Sequence, residues 1–326
     1  MDKNPAAPET LIEALRYFNN PDVCLSFMVQ LRWPDGVVRC PTCGSNFVSF
    51  ISTRRVWTCR ENHERKQFSI KVGTIFEDSP IGLDKWLAAM WLIANAKNGI
   101  SSYEIHRALG VTQKTAWFML HRIRLAMQDG SVEALRGTIE ADETFIGGKT
   151  RNMHKWKQAR VRAAGRGETH SKTIVMGLLE RGSATKDSKV RAIVVRDISA
   201  DALQGTVRAN VESGAALMTD SWKSYRGLSA DFVHRFVDHA TEYVKGNIHT
   251  NGLENFWSLL KRALHGTYIS VEPFHLHRYV DEQAFRYNER FGKDGDRFLT
   301  VLRGIVGRRL TYKALTGKPI LAVATT

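Results

Sequence analysis

From Gly137 onward this 326-residue chain stops reading as helix and begins to read as strand, and that switch constrains its fold more than any other feature. The runs TIEADETFIG, KTIVMGLLE, VRAIVVRDI and ALMTD are rich in aliphatic and β-branched residues and are separated by turns or longer segments. Between the third and fourth, ADALQGTVRANVES has the periodicity of a crossover helix. Three strands, a helix and a further strand predict an α/β sheet with helices packed on its faces. Glu254 to Leu264 and Pro273 to Arg290 then read as amphipathic helices containing aromatics.

Three acids stand out against that frame. Asp142 lies inside the first run, Asp220 ends the fourth, and Glu254 opens the helix of HTNGLENFWSLLKR. Strand alternation puts Glu140 and Asp142 on one face and Glu143 on the other. A carboxylate at a strand end costs desolvation unless something cationic offsets it. Three converging carboxylates repel one another and need a cation of their own, most simply a divalent metal. Hard oxygen ligands select magnesium or manganese, which assist in-line phosphoryl transfer. Lys261 lies two helical turns beyond Glu254 on the same face, where a cation suits a nearby phosphate. Taken singly, each acid also suits a turn or a helix cap, so the catalytic reading depends on all three together.

The remainder of the chain says whose phosphates these are. A formal net charge of +14 argues for a polyanionic partner, nucleic acid first and an acidic membrane surface second. No apolar run approaches a bilayer span, and MDKNPAAPETLIEAL lacks the pattern of a signal peptide. The expectation is a soluble, cytoplasmic protein.

All four cysteines (Cys24, Cys40, Cys43 and Cys59) fall in the first fifth of the sequence, which favours metal binding over a disulfide framework. Cys40-Pro-Thr-Cys43-Gly44 is a metal knuckle, with Gly44 allowing the tight turn. Cys59 follows a strand-like stretch and His63 comes four residues later, completing a closed, structural zinc site of three thiolates and one imidazole. Cys24 reads as a small buried residue on a helix and is the sole substitute for His63 ahead of the next long helix.

That helix, LDKWLAAMWLIANAKNG, ends at Gly99. The segment SSYEIHRALGVTQKTAWFMLHRIRLAM has a helix-turn-helix cadence, with Ser101 or Ser102 capping one helix, Gly110 making the turn and Thr112 capping the second. A plain helical hairpin is the alternative. On the DNA-binding reading, Gln113 and Lys114 face a base or phosphate, and Arg122 and Arg124 face the backbone. Between the first two acids, KTRNMHKWKQARVRAAGRGETHSK is strongly basic. Its Lys149, Arg151, Lys155, Lys157, Arg160 and Arg162 suit an arm that tracks phosphates, although most such charge runs are solvated loops.

The stretches CPTCGS, QFSIKVGTIFEDSPIGLDKWLAAMW, IEADETFIGGK, TDSWKSY, HTNGLENFWSLLKRALHGTY and HLHRYVDEQAFRYN together resemble bacterial insertion-sequence transposases with a zinc ribbon and a DDE catalytic core of RNase H-like fold. The resemblance runs from Cys40 to Asn288. Together with the helical periodicity of LIEALRYF and VCLSFMVQLRW and the basic composition beyond Arg290, this divides the chain into a helical lead-in over 1–34, a zinc ribbon over 35–75, a helix-turn-helix region over 80–130, an RNase H-like domain over 135–290 and a basic tail over 291–326. The resemblance further implies that Asp142, Asp220 and Glu254 hold magnesium or manganese. Lys261 would contact terminal DNA beside them, with Arg262 adjoining it. Asn251, near His249 in the third motif, is a rival third ligand. The partners implied are double-stranded transposon ends and target DNA, bound by at least a dimer at the nucleoid. A non-enzymatic DNA-binding regulator and a metal-dependent nuclease without strand joining are the alternatives.

Overall fold

A computed structural model of the chain describes residues 8–148, 154–163, 172–219, 224–236 and 249–317. The chain divides into two compact units, residues 1–128 with 292–326, and residues 129–291. None of the described helices is long and apolar enough to cross a membrane.

The first unit begins with α1 (Leu11–Tyr17) and α2 (Pro21–Arg32), the former started by a reciprocal capping box between Thr10 and Glu13. A three-stranded antiparallel sheet follows, made of β1 (Val48–Ile51), β2 (Val56–Cys59) and β3 (Gln67–Phe68). So small a sheet cannot bury much apolar surface. Its core is Trp57, whose ring meets those of Trp33, Phe50 and Phe68.

Helix α3 (Leu83–Asn95) is the axis of this unit, burying Trp86, Leu87, Ala89, Met90, Trp91, Ile93 and Ala94. Helices α4 (Ser102–Leu109) and α5 (Gln113–Ala126) meet at Gly110, whose φ of 60° provides the turn between them. Ser101 and Glu104 form a capping box, Thr112 accepts from the Thr115 N–H, and Val111 plugs the corner.

Residues 292–317, within the segment expected as a basic tail, instead carry two helices of this unit. Helix α10 (Asp294–Arg303) buries Phe298, Val301 and Leu302, and the Phe298 ring lies 5.1 Å from that of Trp91. A short helix, α11 (Tyr312–Thr316), follows.

The second unit is a five-stranded mixed sheet in the order β6-β5-β4-β7-β8. Strand β4 (Thr138–Ile146) is central; β5 (Thr173–Glu180) and β6 (Lys189–Val195) continue it antiparallel on one side. Strands β7 (Ala216–Thr219) and β8 (Val233–Phe236) run parallel to it on the other. Helix α7 (Ala200–Asn210) makes the expected crossover from β6 to β7. Alternation along β4 decides which core each residue joins. Ile139 and Ala141 face α7 and pack with Leu203, Val207 and Leu217. Glu140 and Asp142 point to the opposite face, covered by α8 (Asn251–Ala263) and α9 (Leu276–Asn288). There Val175, Leu179, Leu253, Phe256, Trp257 and Val280 form the second core. This sheet with helices on both faces is the RNase H-like α/β fold expected. Helix α6 (Lys155–Ala163) lies within the basic segment between β4 and β5.

Candidate active site

Strand β4 and helix α8, which carry two of the expected acids, meet through Asp142 and Trp257. Asp142 is half-buried, and its carboxylate accepts from the Trp257 indole Nε1–H at 2.8 Å and from the Glu143 N–H at 2.8 Å. Trp257 is three residues beyond Glu254 on α8, so the two side chains are neighbours on one helix face. The indole therefore brings the helix that carries Glu254 against the strand that carries Asp142. Glu254 itself is exposed and has no ion pair among the described residues.

Such close approach of helix to sheet needs a gap in the side-chain layer. Gly177 on β5 stands directly opposite Asp142 and provides it. A Cβ there would lie 2.6 Å from the Trp257 ring and 2.7 Å from Leu253. Gly252 does the same from the helix side, since a Cβ at that position would lie 2.8 Å from Glu140.

Glu140 is 1% exposed, and a carboxylate so buried must be paired. Arg181 donates to it at 2.7 Å through Nε, and the Leu253 N–H donates at 3.0 Å. Arg181 continues to the His249 carbonyl at 2.6 Å. Glu140 thus fixes the first turn of α8, where the positive end of the helix favours a carboxylate.

Strand β7 ends beside this group. Thr219 pairs with Ala141, the residue before Asp142, and the Thr219 hydroxyl lies 3.0 Å from His234 Nε2 on β8. Burial keeps His234 below the usual histidine pKa, favouring its neutral form. Asp220 comes next in the chain and lies outside the described residues, as do Lys149 and Arg151. The same holds for the side chains of Lys157, Arg160 and Arg162, although their backbone belongs to α6. Lys155 is exposed at the start of α6. Lys261 and Arg262 are exposed near the end of α8, and Asn251 is exposed at its start.

The metal knuckle forms as expected. Gly44 has a φ of 75°, and its N–H closes on the Cys40 carbonyl at 2.8 Å. One ligand atom from each of Cys40, Cys43, Cys59 and His63 lies within 4.8 Å of every other. The Cys43–Cys59 sulfurs are 3.7 Å apart, and Cys40 Sγ is 3.5 Å from His63 Nε2. Tetrahedral zinc with Zn–S of about 2.3 Å and Zn–N of about 2.0 Å calls for edges of roughly 3.8 and 3.5 Å, so the donors fit this ion. Cys24 is elsewhere, fully buried, with its thiol donating to the Phe18 carbonyl at 3.1 Å.

Across α4 and α5, two expected DNA contacts are corrected. Arg122 is 4% exposed and Arg124 1%, too deep to reach a phosphate. Arg122 donates to the carbonyls of Leu310 and Glu77 at 3.0 and 2.8 Å, so its charge secures chain segments to one another. Gln113 turns inward as well and donates to Ser102 at 2.9 Å. Lys114 is exposed, with its ammonium 4.9 Å from the centre of the Tyr312 ring.

Sequence reading missed Arg181, Gly177 and the role of Glu140. It also missed the bond from Trp257 to Asp142.

A family model for the ISXO2-like transposase domain matches residues 134–288. One for a transposase zinc-ribbon domain matches residues 19–64. Similar over 249 residues, at 26% identity, is an uncharacterized protein in transposable element ISH50 of Halobacterium salinarum. That alignment covers 73% of this chain and 81% of the relative. An uncharacterized transposase-like protein of Haemophilus influenzae is 29% identical over 101 residues, or 31% of this chain and 81% of the relative.

Proposed function

We propose that this chain, which matches a transposase zinc ribbon followed by an ISXO2-like transposase domain, cuts transposon ends and joins them to target DNA. The supporting observation is the Trp257–Asp142 hydrogen bond, because it brings the helix bearing Glu254 to the strand bearing Asp142. The chain leaves β7 at Thr219, next to Ala141, immediately before the second acid, Asp220.

The carboxylate donor set suits magnesium or manganese, held by Asp142, Asp220 and Glu254. Such ions supply a Lewis acid at the attacking and leaving oxygens of an in-line displacement. The protein's share is orientation. Trp257 and the Glu143 N–H fix the plane of the Asp142 carboxylate, and Glu140 with Arg181 fixes the start of α8. Lys261 and Arg262 offer cations to the DNA backbone, and Asn251 is close enough in sequence to assist Glu254. Water first attacks the end phosphodiester and frees a 3′ hydroxyl, which then attacks a target phosphodiester.

Residues 135–290 carry this chemistry on our reading. The zinc ribbon (35–75) and helix-turn-helix (80–130) engage transposon ends, with Lys114 as a backbone contact, and Lys155 of α6 adds another from the 135–290 domain. Two DNA ends call for at least two copies of the chain, working at the nucleoid in the cytoplasm.

The test is an assay with purified protein, end-containing duplex and magnesium, read for nicked and joined products. Asp142→Asn is expected to bind ends but neither cut nor join them. Wild-type cleavage by that variant ends the proposal, and cleavage without joining by the unaltered protein reduces it to a nuclease.

A further inference from the structure

We propose that Ile269 is a wedge that enters a base step of duplex DNA and unstacks it several base pairs from the bond being cut; this rests on the DNA-processing reading above. Helix α8 widens after Ala263 into a π-type turn, Leu264–Tyr268. Insertions of this kind recur at functional sites. The chain then reverses at Ile269, which has φ of 60° and ψ of −55°. The Ser270 N–H closes back on the Tyr268 carbonyl at 2.6 Å, a tight three-residue turn that is rare and strained. A side chain branched at Cβ is among the least suited to positive φ. Even so, Ile269 stands here with 79% of its surface exposed.

The neighbours of Ile269 are anchored while it projects. The Tyr268 hydroxyl donates to Glu282, which is fully buried and pairs with Arg286. The Tyr268 ring meets that of Tyr279 edge-on, with centroids 4.7 Å apart. Leu264 and Val271 pack into the core of α8 and α9. The turn is therefore held from both sides, and the isoleucine adds nothing to that hold. A glycine would serve the backbone better. What isoleucine adds is a rigid apolar tip.

The charge around this tip points to nucleic acid. Lys261, Arg262 and His265 are exposed on the preceding turns, and Phe274 is a second exposed apolar side chain just beyond. Glu272 is the sole acid between Glu254 and Asp281. An apolar residue presented among backbone-binding cations is how proteins pry open base steps. Ile269 is fifteen residues beyond Glu254. At about 1.5 Å per helical residue it lies roughly 20 Å along the axis, which is about six base-pair rises for a duplex laid along α8.

The experiment is permanganate footprinting of full-length protein carrying Asp142→Asn, so that the DNA stays whole. Thymine is walked through each position flanking the end of the duplex. Protein with Ile269 is expected to give one hyperreactive step about six base pairs from the scissile bond, within a pair or two. Ile269→Ala and Ile269→Gly should bring that step to the reactivity of naked DNA while retaining end binding, and Ile269→Met should restore it. Ile269→Gly should also melt no lower than the parent, which separates loss of the wedge from damage to the fold. Unchanged reactivity in Ile269→Ala overturns the proposal. Loss of binding to anionic phospholipid vesicles in that variant, with an unaltered footprint, assigns the tip to a membrane surface instead. Failure of the unaltered protein to cut DNA ends at all removes the functional reading beneath it, a result distinct from either.

Discussion

The Trp257 indole donates to the Asp142 carboxylate across 2.8 Å, so a helix residue orients a strand acid. The indole engages Oδ2 of Asp142, while the Glu143 N–H engages Oδ1, so the carboxylate is held at both oxygens. Replacing Trp257 by Phe keeps most of the ring packing and removes the N–H. Magnesium affinity or cleavage is expected to fall about 10–100-fold, the usual cost of losing a group that orients a metal ligand. Titrating magnesium in the cleavage assay measures it, and a variant with unaltered metal dependence would show the bond to be purely structural.

Gly177 is where that approach is most easily spoiled. An added methyl would sit 2.6 Å from the indole, inside contact distance, so α8 must shift outward or the sheet must bend. Gly177→Ala is expected to cost about 1–3 kcal/mol, the range for overpacking a filled core. Because the displaced element carries Glu254, cleavage should fall further than stability alone accounts for. Urea unfolding and single-turnover cleavage at a temperature where the variant is folded would separate the two.

Glu140 makes a contrasting prediction, since it lies beside Asp142 on the same strand face but is fully enclosed. Glu140→Ala leaves Arg181 without its carboxylate and the Leu253 N–H without its acceptor. Removing one partner of a buried pair costs about 3–5 kcal/mol. Glu140→Gln keeps an acceptor for Leu253 and should lose less. Denaturant midpoints of the two variants check the order, and a milder effect for alanine would refute the assigned role.

How much of this was readable in the residues differs from place to place. Strand β4 was legible because TIEADETFI alternates, and the same alternation placed Glu140 and Asp142 on one face. The knuckle was legible because two thiolates and a glycine at short spacing have few other uses. Helix α10 was obscured because Lys293, Arg297 and Arg303 drew attention to charge, whereas Phe298, Val301 and Leu302 carry the helical repeat that docks it. Strand β8, four residues reading VHRF, has too little apolar content to announce itself, and it forms by pairing with β7. Arg122 was misread for a physical reason: its partners are carbonyls of Glu77 and Leu310, and burial set by such distant groups leaves no local mark.

Arg122 and Lys114 therefore should part company on substitution, although both are cations of α5. Arg122→Ala strands two carbonyls in a buried setting, and each such loss costs about 1–3 kcal/mol. The expectation is a lower melting temperature with an unchanged salt dependence of DNA binding for the folded fraction. Lys114→Ala should leave stability within about 0.5 kcal/mol. It should reduce the slope of log affinity against log salt by about one. A reversal of these two patterns would return Arg122 to the DNA surface.

Cys24 separates the structural thiol from the metal thiols by pH. Burial, together with the nearby Asp84 charge, pushes its pKa up to about 11 from an ordinary value of 9.0. The folded state therefore prefers the protonated thiol, which donates to the Phe18 carbonyl. This contribution is complete below about pH 9, where the unfolded thiol is also protonated, and is lost as pH climbs from 9 towards 11. Cys24→Ala lacks the titration, so the stability gap between parent and variant should narrow across that window. Zinc content should be unaltered in Cys24→Ala, whereas His63→Ala and Cys59→Ala should lose the metal. The opposite partition of zinc would place Cys24 in the ligand set in place of His63.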